Sequence, residues 1–164
     1  MRVEELRMDT KIADLIFIRG KGPISHIIEN VEQSPYSHVA GLIKPNELYE
    51  AQAFRKTGYQ GEDFYDGYSD VYTCDILTDI QRDKIIRFVL TKLGTKYDYE
   101  ILGWELIHYY LHFDIPYHEN NRYDCSELWN DAYKSVGVDL CPGLEYASPG
   151  DLSQSKLLRK IGSF

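Results

Sequence analysis

Apolar and polar positions along this chain alternate with two different periods. Residues 14–18 (DLIFI) form a short apolar run closed by Arg-Gly-Lys-Gly-Pro, the pattern of a buried strand followed by a loop. Residues 36–43 (YSHVAGLI) and 48–54 (LYEAQAF) flank Lys44-Pro45-Asn46 and predict a hairpin. Residues 71–76 predict a further strand after a polar, Gly-rich stretch. Other segments carry helical spacing. Ile24, Ile27, Ile28 and Val31 share one helical face. Thr78-Asp79-Ile80-Gln81 is a capping box that opens a helix with Ile85, Phe88, Val89 and Leu93 inward and Gly94 at its end. Residues 99–111 predict another helix. A Ser148-Pro149-Gly150-Asp151 turn and a last apolar segment over residues 157–161 complete the chain. Helices and a hairpin-rich sheet in separate blocks, with no repeat or linker, predict an α+β fold in one domain spanning residues 1–164.

One amphipathic segment changes this picture. In Tyr123-Asp124-Cys125-Ser126-Glu127-Leu128, Asp124 reads as an N-cap, Cys125 as the first helical residue and Glu127 as the third. Leu128, Trp129, Ala132, Tyr133 and Val136 follow on one face until Gly137 stops the helix. Cys125 lies on the same face at its N-terminal end. Free amide hydrogens and the positive end of the helix dipole there favour a thiolate. A small buried cysteine also needs no chemistry to explain it, so the reading depends on what else the chain supplies.

Composition narrows the field. The hydrophobic fraction is 43% and the formal net charge −8. An excess of acid with no basic stripe argues against binding a nucleic-acid backbone. No apolar run is long enough to cross a bilayer, and the first residues lack the basic start and apolar stretch of a signal peptide. A cytoplasmic location is the expectation. The three cysteines, Cys74, Cys125 and Cys141, show no CxxC spacing, which excludes a zinc ribbon and makes a disulfide framework improbable. The 14 tyrosines serve either packing or a ring-lined groove for a peptide or sugar-like ligand.

A sulfur nucleophile needs a base. Of His26, His38, His108, His112 and His118, His38 stands out because it sits in the apolar YSHVAGLI strand, where a polar ring needs a partner. Glu50 and Gln52 share a face of the next strand, and either could orient the ring if the register is right. A tight two-residue turn gives the wrong parity and a three-residue loop the right one. His108 and His112, with Glu105 a turn earlier, have metal-compatible spacing but lack the HExxH pattern, so no metal and no cofactor is expected.

Taken in order, these pieces resemble the circularly permuted branch of the NlpC-type papain-like cysteine peptidases and amidases, the YiiX-like group. The matching residues are DLIFIRG near the start, Tyr36-Ser37-His38-Val39-Ala40, Tyr49-Glu50-Ala51, Asp124-Cys125-Ser126-Glu127-Leu128 and the late Ala147-Ser148-Pro149-Gly150-Asp151-Leu152. The similarity covers about residues 12–160. It implies a papain-like fold, an antiparallel sheet packed on helices, with the cysteine helix displaced behind the sheet in sequence. It further implies Cys125 as nucleophile, His38 as general base and acid, and Glu50 as the residue that orients His38. The substrate would be a small peptide or other amino-acid-containing molecule, cleaved at an amide or isopeptide bond. Tyr36 and Tyr123 are candidates for a second oxyanion donor, and Gln52 for a substrate contact. The competing readings are a lipid acyltransferase or thioesterase of the same fold, and a catalytically silent binding module. The oligomeric state stays open.

Overall fold

The computed structural model describes residues 9–20, 34–51, 57–93, 96–97 and 122–164. Among the described residues there are eight strands, β1 (Leu15–Ile18), β2 (His38–Lys44), β3 (Glu47–Glu50), β4 (Gly58–Gly61), β5 (Ser69–Thr73), β6 (Lys96–Tyr97), β7 (Arg122–Tyr123) and β8 (Arg159–Ser163). A 3-10 turn (Glu62–Tyr65) joins β4 to β5. The helices are α1 (Asp79–Leu90), α2 (Cys125–Lys134) and α3 (Pro149–Ser153). Six strands form one sheet in the order β4-β3-β2-β1-β5-β8, with every neighbouring pair antiparallel. β6 and β7 pair as a short parallel ladder. The fold is α+β.

Strand alternation sorts the core into two layers. One sheet face carries Leu15, Phe17, Val39 and Tyr49 and packs against Ile85 and Val89 of α1 and Leu128, Trp129, Ala132 and Tyr133 of α2. The other face carries Ile16, Ile18, Ala40, Leu42, Leu48 and Val71, closed by Tyr65 and Phe164. Both faces of β1 are covered, which is why LIFI is a continuous apolar run rather than an alternating one.

Local chemistry sets the helix starts. At α1, Thr78 Oγ1 accepts from the Gln81 backbone N–H and the Gln81 side chain accepts from the Thr78 N–H. Behind this cap Arg82 is buried, donating to Asp14 Oδ1 at 2.7 Å and to the carbonyls of Ile12 and Cys74. At α2, Trp129 is wholly buried against Gly41, where a Cβ would lie 2.3 Å from the indole ring. The indole N–H donates to the Tyr49 carbonyl at 3.2 Å, and the Tyr133 hydroxyl to the Ala13 carbonyl at 2.6 Å.

Several expectations need correction. The hairpin turns on Pro45 and Asn46 alone, with Asn46 at φ 64°, yet the parity is right because the register shifts between Leu42 and Lys44. That bulge supplies the residue a longer loop would have supplied. β5 ends at Thr73, so Ile76 is 59% exposed, and α1 ends at Leu90, so Leu93 is 54% exposed instead of inward. The polar stretch before β5 contains strand β4 and the 3-10 turn. Ser148 to Asp151 opens helix α3 through a capping box with proline at its first position, not an isolated turn. The last segment is a strand shifted to Arg159–Ser163, paired with β5. The expected helices over 24–31 and 99–111, and Gly94, lie outside the described residues.

Candidate active site

Asp124 caps α2. Its Oδ1 accepts from the Glu127 backbone N–H at 2.6 Å and from Ser126 Oγ at 3.0 Å. Cys125 is therefore the first helical residue, and its own N–H belongs to the turn with no intrahelical acceptor. Trp129 against Gly41 sets where this helix end falls. Four residues of helix advance about 6 Å and two of strand about 7 Å, so seating Trp129 on Gly41 brings Cys125 to Val39, at the start of β2. There the Val39 backbone N–H favours the charged form of the cysteine sulfur.

His38 opens β2 beside it. The bulge places His38, Ala40 and Leu42 on one face with Leu48 and Glu50 of β3. His38 Nε2 lies 2.7 Å from Glu50 Oε2, and the ring also interacts with the Cys125 sulfur. With Nε2 engaged by the carboxylate, Nδ1 is the nitrogen left for the sulfur. Glu50 is 4% exposed and Cys125 5%. A third group completes the arrangement: the Tyr65 hydroxyl donates to the same Glu50 Oε2 at 2.7 Å.

The charges follow from this packing. Burial favours a neutral His38 ring, but the Cys125 sulfur and the Glu50 carboxylate outweigh it and push its pKa up to about 10. Burial pushes the Cys125 thiol up, helped by the Asp124 carboxylate, while His38 and the Val39 N–H pull it down. Sulfur and ring touch, so they titrate as a pair.

The other candidates fall elsewhere. Tyr36 is buried, and its hydroxyl donates to Asp70 Oδ2 at 2.5 Å and lies 3.1 Å from Tyr72 Oη. Its hydroxyl is thus held in a cluster where Asp70 also accepts from Arg19, Lys160 and Ser163. Burial pushes the Asp70 carboxyl up, but these donors prevail and hold it at about 2. Tyr123 is placed by its backbone in β7. Gln52, His26, Glu105, His108, His112 and His118 lie outside the described residues. Cys74 and Cys141 are buried and free. Burial and the carboxylates of Asp151 and Asp139 push Cys141 up to about 11. Sequence reasoning missed Tyr65, which sits in a polar stretch without periodicity, 15 residues from the carboxylate it binds. Among the described residues no three His, Cys, Asp or Glu side chains are arranged to hold a metal ion, and no helix is long and apolar enough to cross a membrane.

No family model and no curated protein matches this chain. The structure is similar to the crystal structure of the metalloprotein YiiX from Escherichia coli O157:H7, with a TM-score of 0.70 and 17% identity over 92% of this chain and 96% of that one. At that identity the likeness shows the fold alone. The chain has a YiiX-like α+β fold.

Proposed function

We propose that this protein is a papain-like thiol hydrolase that cleaves an amide bond, peptide or isopeptide, through an acyl-enzyme on Cys125. One observation carries the reading: the sulfur at the first turn of α2 interacts with His38, whose Nε2 is held by Glu50. That is a nucleophile, a base and an orienting carboxylate in series. Two strands and one distant helix are needed to build it, which a lone buried cysteine would not require.

In the reaction, His38 takes the thiol proton as Sγ bonds to the carbonyl carbon and the C=O electron pair moves onto oxygen. The Cys125 N–H, unpaired within the helix, is positioned to stabilise that oxyanion. The intermediate collapses, the C–N bond breaks, and His38 returns its proton to the leaving amine. Water then attacks the thioester, giving a proton to His38; the carboxylic acid leaves as the C–S bond breaks, and His38 returns its proton to Sγ. Glu50 keeps the ring aimed and balances its positive charge while it carries the proton. The relative YiiX is a metalloprotein. In this chain the described donors do not fit such an ion, since His38 Nε2 is already bonded to Glu50 and no set of three ligands converges. No step is routed through a metal.

The test is acyl-enzyme trapping. Aminoacyl and dipeptidyl amides and p-nitrophenyl esters are incubated with the protein, and the intact mass is read at short times. The expected result is an adduct on Cys125 that vanishes in Cys125→Ser and accumulates more slowly in His38→Ala. Adducts formed only from long-chain thioesters would move the assignment to acyl transfer. No adduct from any donor, with Cys125 alkylated at the same rate with and without His38, would refute the hydrolase reading.

A further inference from the structure

Glu50 is a buried carboxylate, and burial without compensation favours the neutral acid, which could not balance an imidazolium. His38 supplies one donor to Oε2 at 2.7 Å, and Tyr65 supplies a second to the same oxygen at the same distance. Tyr65 is itself 4% exposed. Its turn is tied at both ends: the Glu62 N–H donates to the Asn46 carbonyl at 3.1 Å, and Ser69 Oγ donates to the Tyr65 carbonyl at 3.0 Å. Edge-on contacts with Phe64 and Tyr68, centroids 5.0 and 5.8 Å away, fix the ring's tilt. The hydroxyl is therefore delivered to the carboxylate by a rigid element that makes no bond to Cys125.

We infer that Tyr65 is a positioning residue of the proposed hydrolase, holding Glu50 ionised and aimed at His38 through its hydroxyl. The inference rests on that functional reading. It extends the series by one member, drawn from the loop between β4 and β5. Tyr65 touches neither the sulfur nor the ring nitrogen by hydrogen bond; it acts through Glu50. Among the described residues, the titratable groups around Glu50 include His38 from β2, Tyr65 from the 3-10 turn with Tyr68 just after it, and Cys125, with Asp124 beside it, from α2. Of these, only the two tyrosines can be reduced to an isostere without changing a charge or the nucleophile, and Tyr65 is the one whose hydroxyl donates to Glu50.

The experiment reads Glu50 directly. The side-chain carboxyl carbon is followed by carbon-13 NMR against pH in the wild type, Tyr65→Phe and Tyr68→Phe, alongside the Cys125 alkylation rate. Tyr68 donates to the Phe64 carbonyl, so its variant disturbs the same turn without touching Glu50. In Tyr65→Phe the Glu50 midpoint is expected to rise by about one pH unit, because a donor to the charged form is lost. The alkylation rate should fall about tenfold as the ring loses its aim. Tyr68→Phe should move neither. Site-specific 3,5-difluorotyrosine at 65, a stronger donor of the same shape, should lower the midpoint. A midpoint unmoved in Tyr65→Phe, or moved equally in Tyr68→Phe, overturns the inference. The midpoint is read on resting protein, so the two ideas fail separately. A shift without any acyl transfer refutes the hydrolase and keeps Tyr65 as the holder of Glu50. Turnover with an unmoved midpoint refutes Tyr65 alone.

Discussion

Gly41→Ala is the sharpest test of how the cysteine helix is seated. A Cβ at position 41 would lie 2.3, 2.4 and 2.5 Å from Cζ2, Cη2 and Cε2 of Trp129. Carbon atoms settle at about 3.5–4.0 Å, so the ring must retreat by more than an ångström. It has nowhere to go: Trp129 is fully buried, and its N–H is fixed on the Tyr49 carbonyl. The remaining freedom is to lift α2 off the sheet. Overpacking of this kind costs about 1–3 kcal/mol, and an indole–carbonyl bond broken on the way adds about 1 kcal/mol. A total of about 3 kcal/mol lowers the thermal midpoint by roughly 6–12 °C in a chain of this size. Because Cys125 is one turn from Trp129, the same displacement should slow Cys125 alkylation. Thermal and urea denaturation give the first number and iodoacetamide kinetics the second. Trp129→Phe placed on the Gly41→Ala background should recover part of the loss, a coupling that a double-mutant cycle reads directly. An unchanged midpoint and unchanged thiol kinetics would show that Trp129 on Gly41 does not set the helix position.

Other expectations follow from single contacts. In the wild type the alkylation rate of Cys125 should climb with pH through the alkaline range, above the free-thiol value of about 8.5, and His38→Ala should push the midpoint higher still; a profile indifferent to His38 would break the pair. Asp124→Asn keeps the cap but removes the charge that disfavours the thiolate, so the midpoint should move down, and an upward shift would contradict that sign. Arg82→Met strands Asp14, wholly buried at 2.7 Å from the guanidinium, and should cost about 3–5 kcal/mol in urea denaturation, most of it recovered in Asp14→Asn with Arg82→Met. The Asp70 carboxyl is lowered from 3.8 to about 2, so its contribution of about 2 kcal/mol is present above pH 4 and lost as the pH falls through 2. Asp70→Asn should therefore be less stable at pH 7 and approach the wild type at pH 2; parallel curves would refute this.

Legibility in the sequence varied with the range of the interaction that decides each feature. The start of α2 was readable because the cap and the apolar face are local, Asp124 to Glu127 and then every third or fourth residue. The capping box of α1 was readable for the same reason. Element ends were not: Ile76 and Leu93 continue the apolar pattern past the ends of β5 and α1, where both side chains are exposed. The meeting of His38 with Glu50 depended on parity, and parity depended on a bulge that no residue near Ile43 announces. Arg82 is a charged residue of an amphipathic helix on which the sequence carries no signal, and its distant partner Asp14 explains its burial. Tyr65 was hidden because both its turn and its acceptor are set by tertiary packing.

The sheet places the pieces of this site far apart in the order of synthesis. His38 and Glu50 share one face of a hairpin that leaves the ribosome early, while Cys125 emerges much later and meets them only when α2 docks on β2. On the proposed reading, the nascent chain carries a base and a carboxylate with no sulfur to activate. Its thiol, once made, stays ordinary until Trp129 reaches Gly41. An enzyme with its cysteine helix first would expose the nucleophile before its restraints; this chain order delays reactivity until most of the polypeptide exists. Arrested nascent chains of increasing length, labelled with a thiol-reactive dye, would show at which residue the sulfur comes under the control of His38.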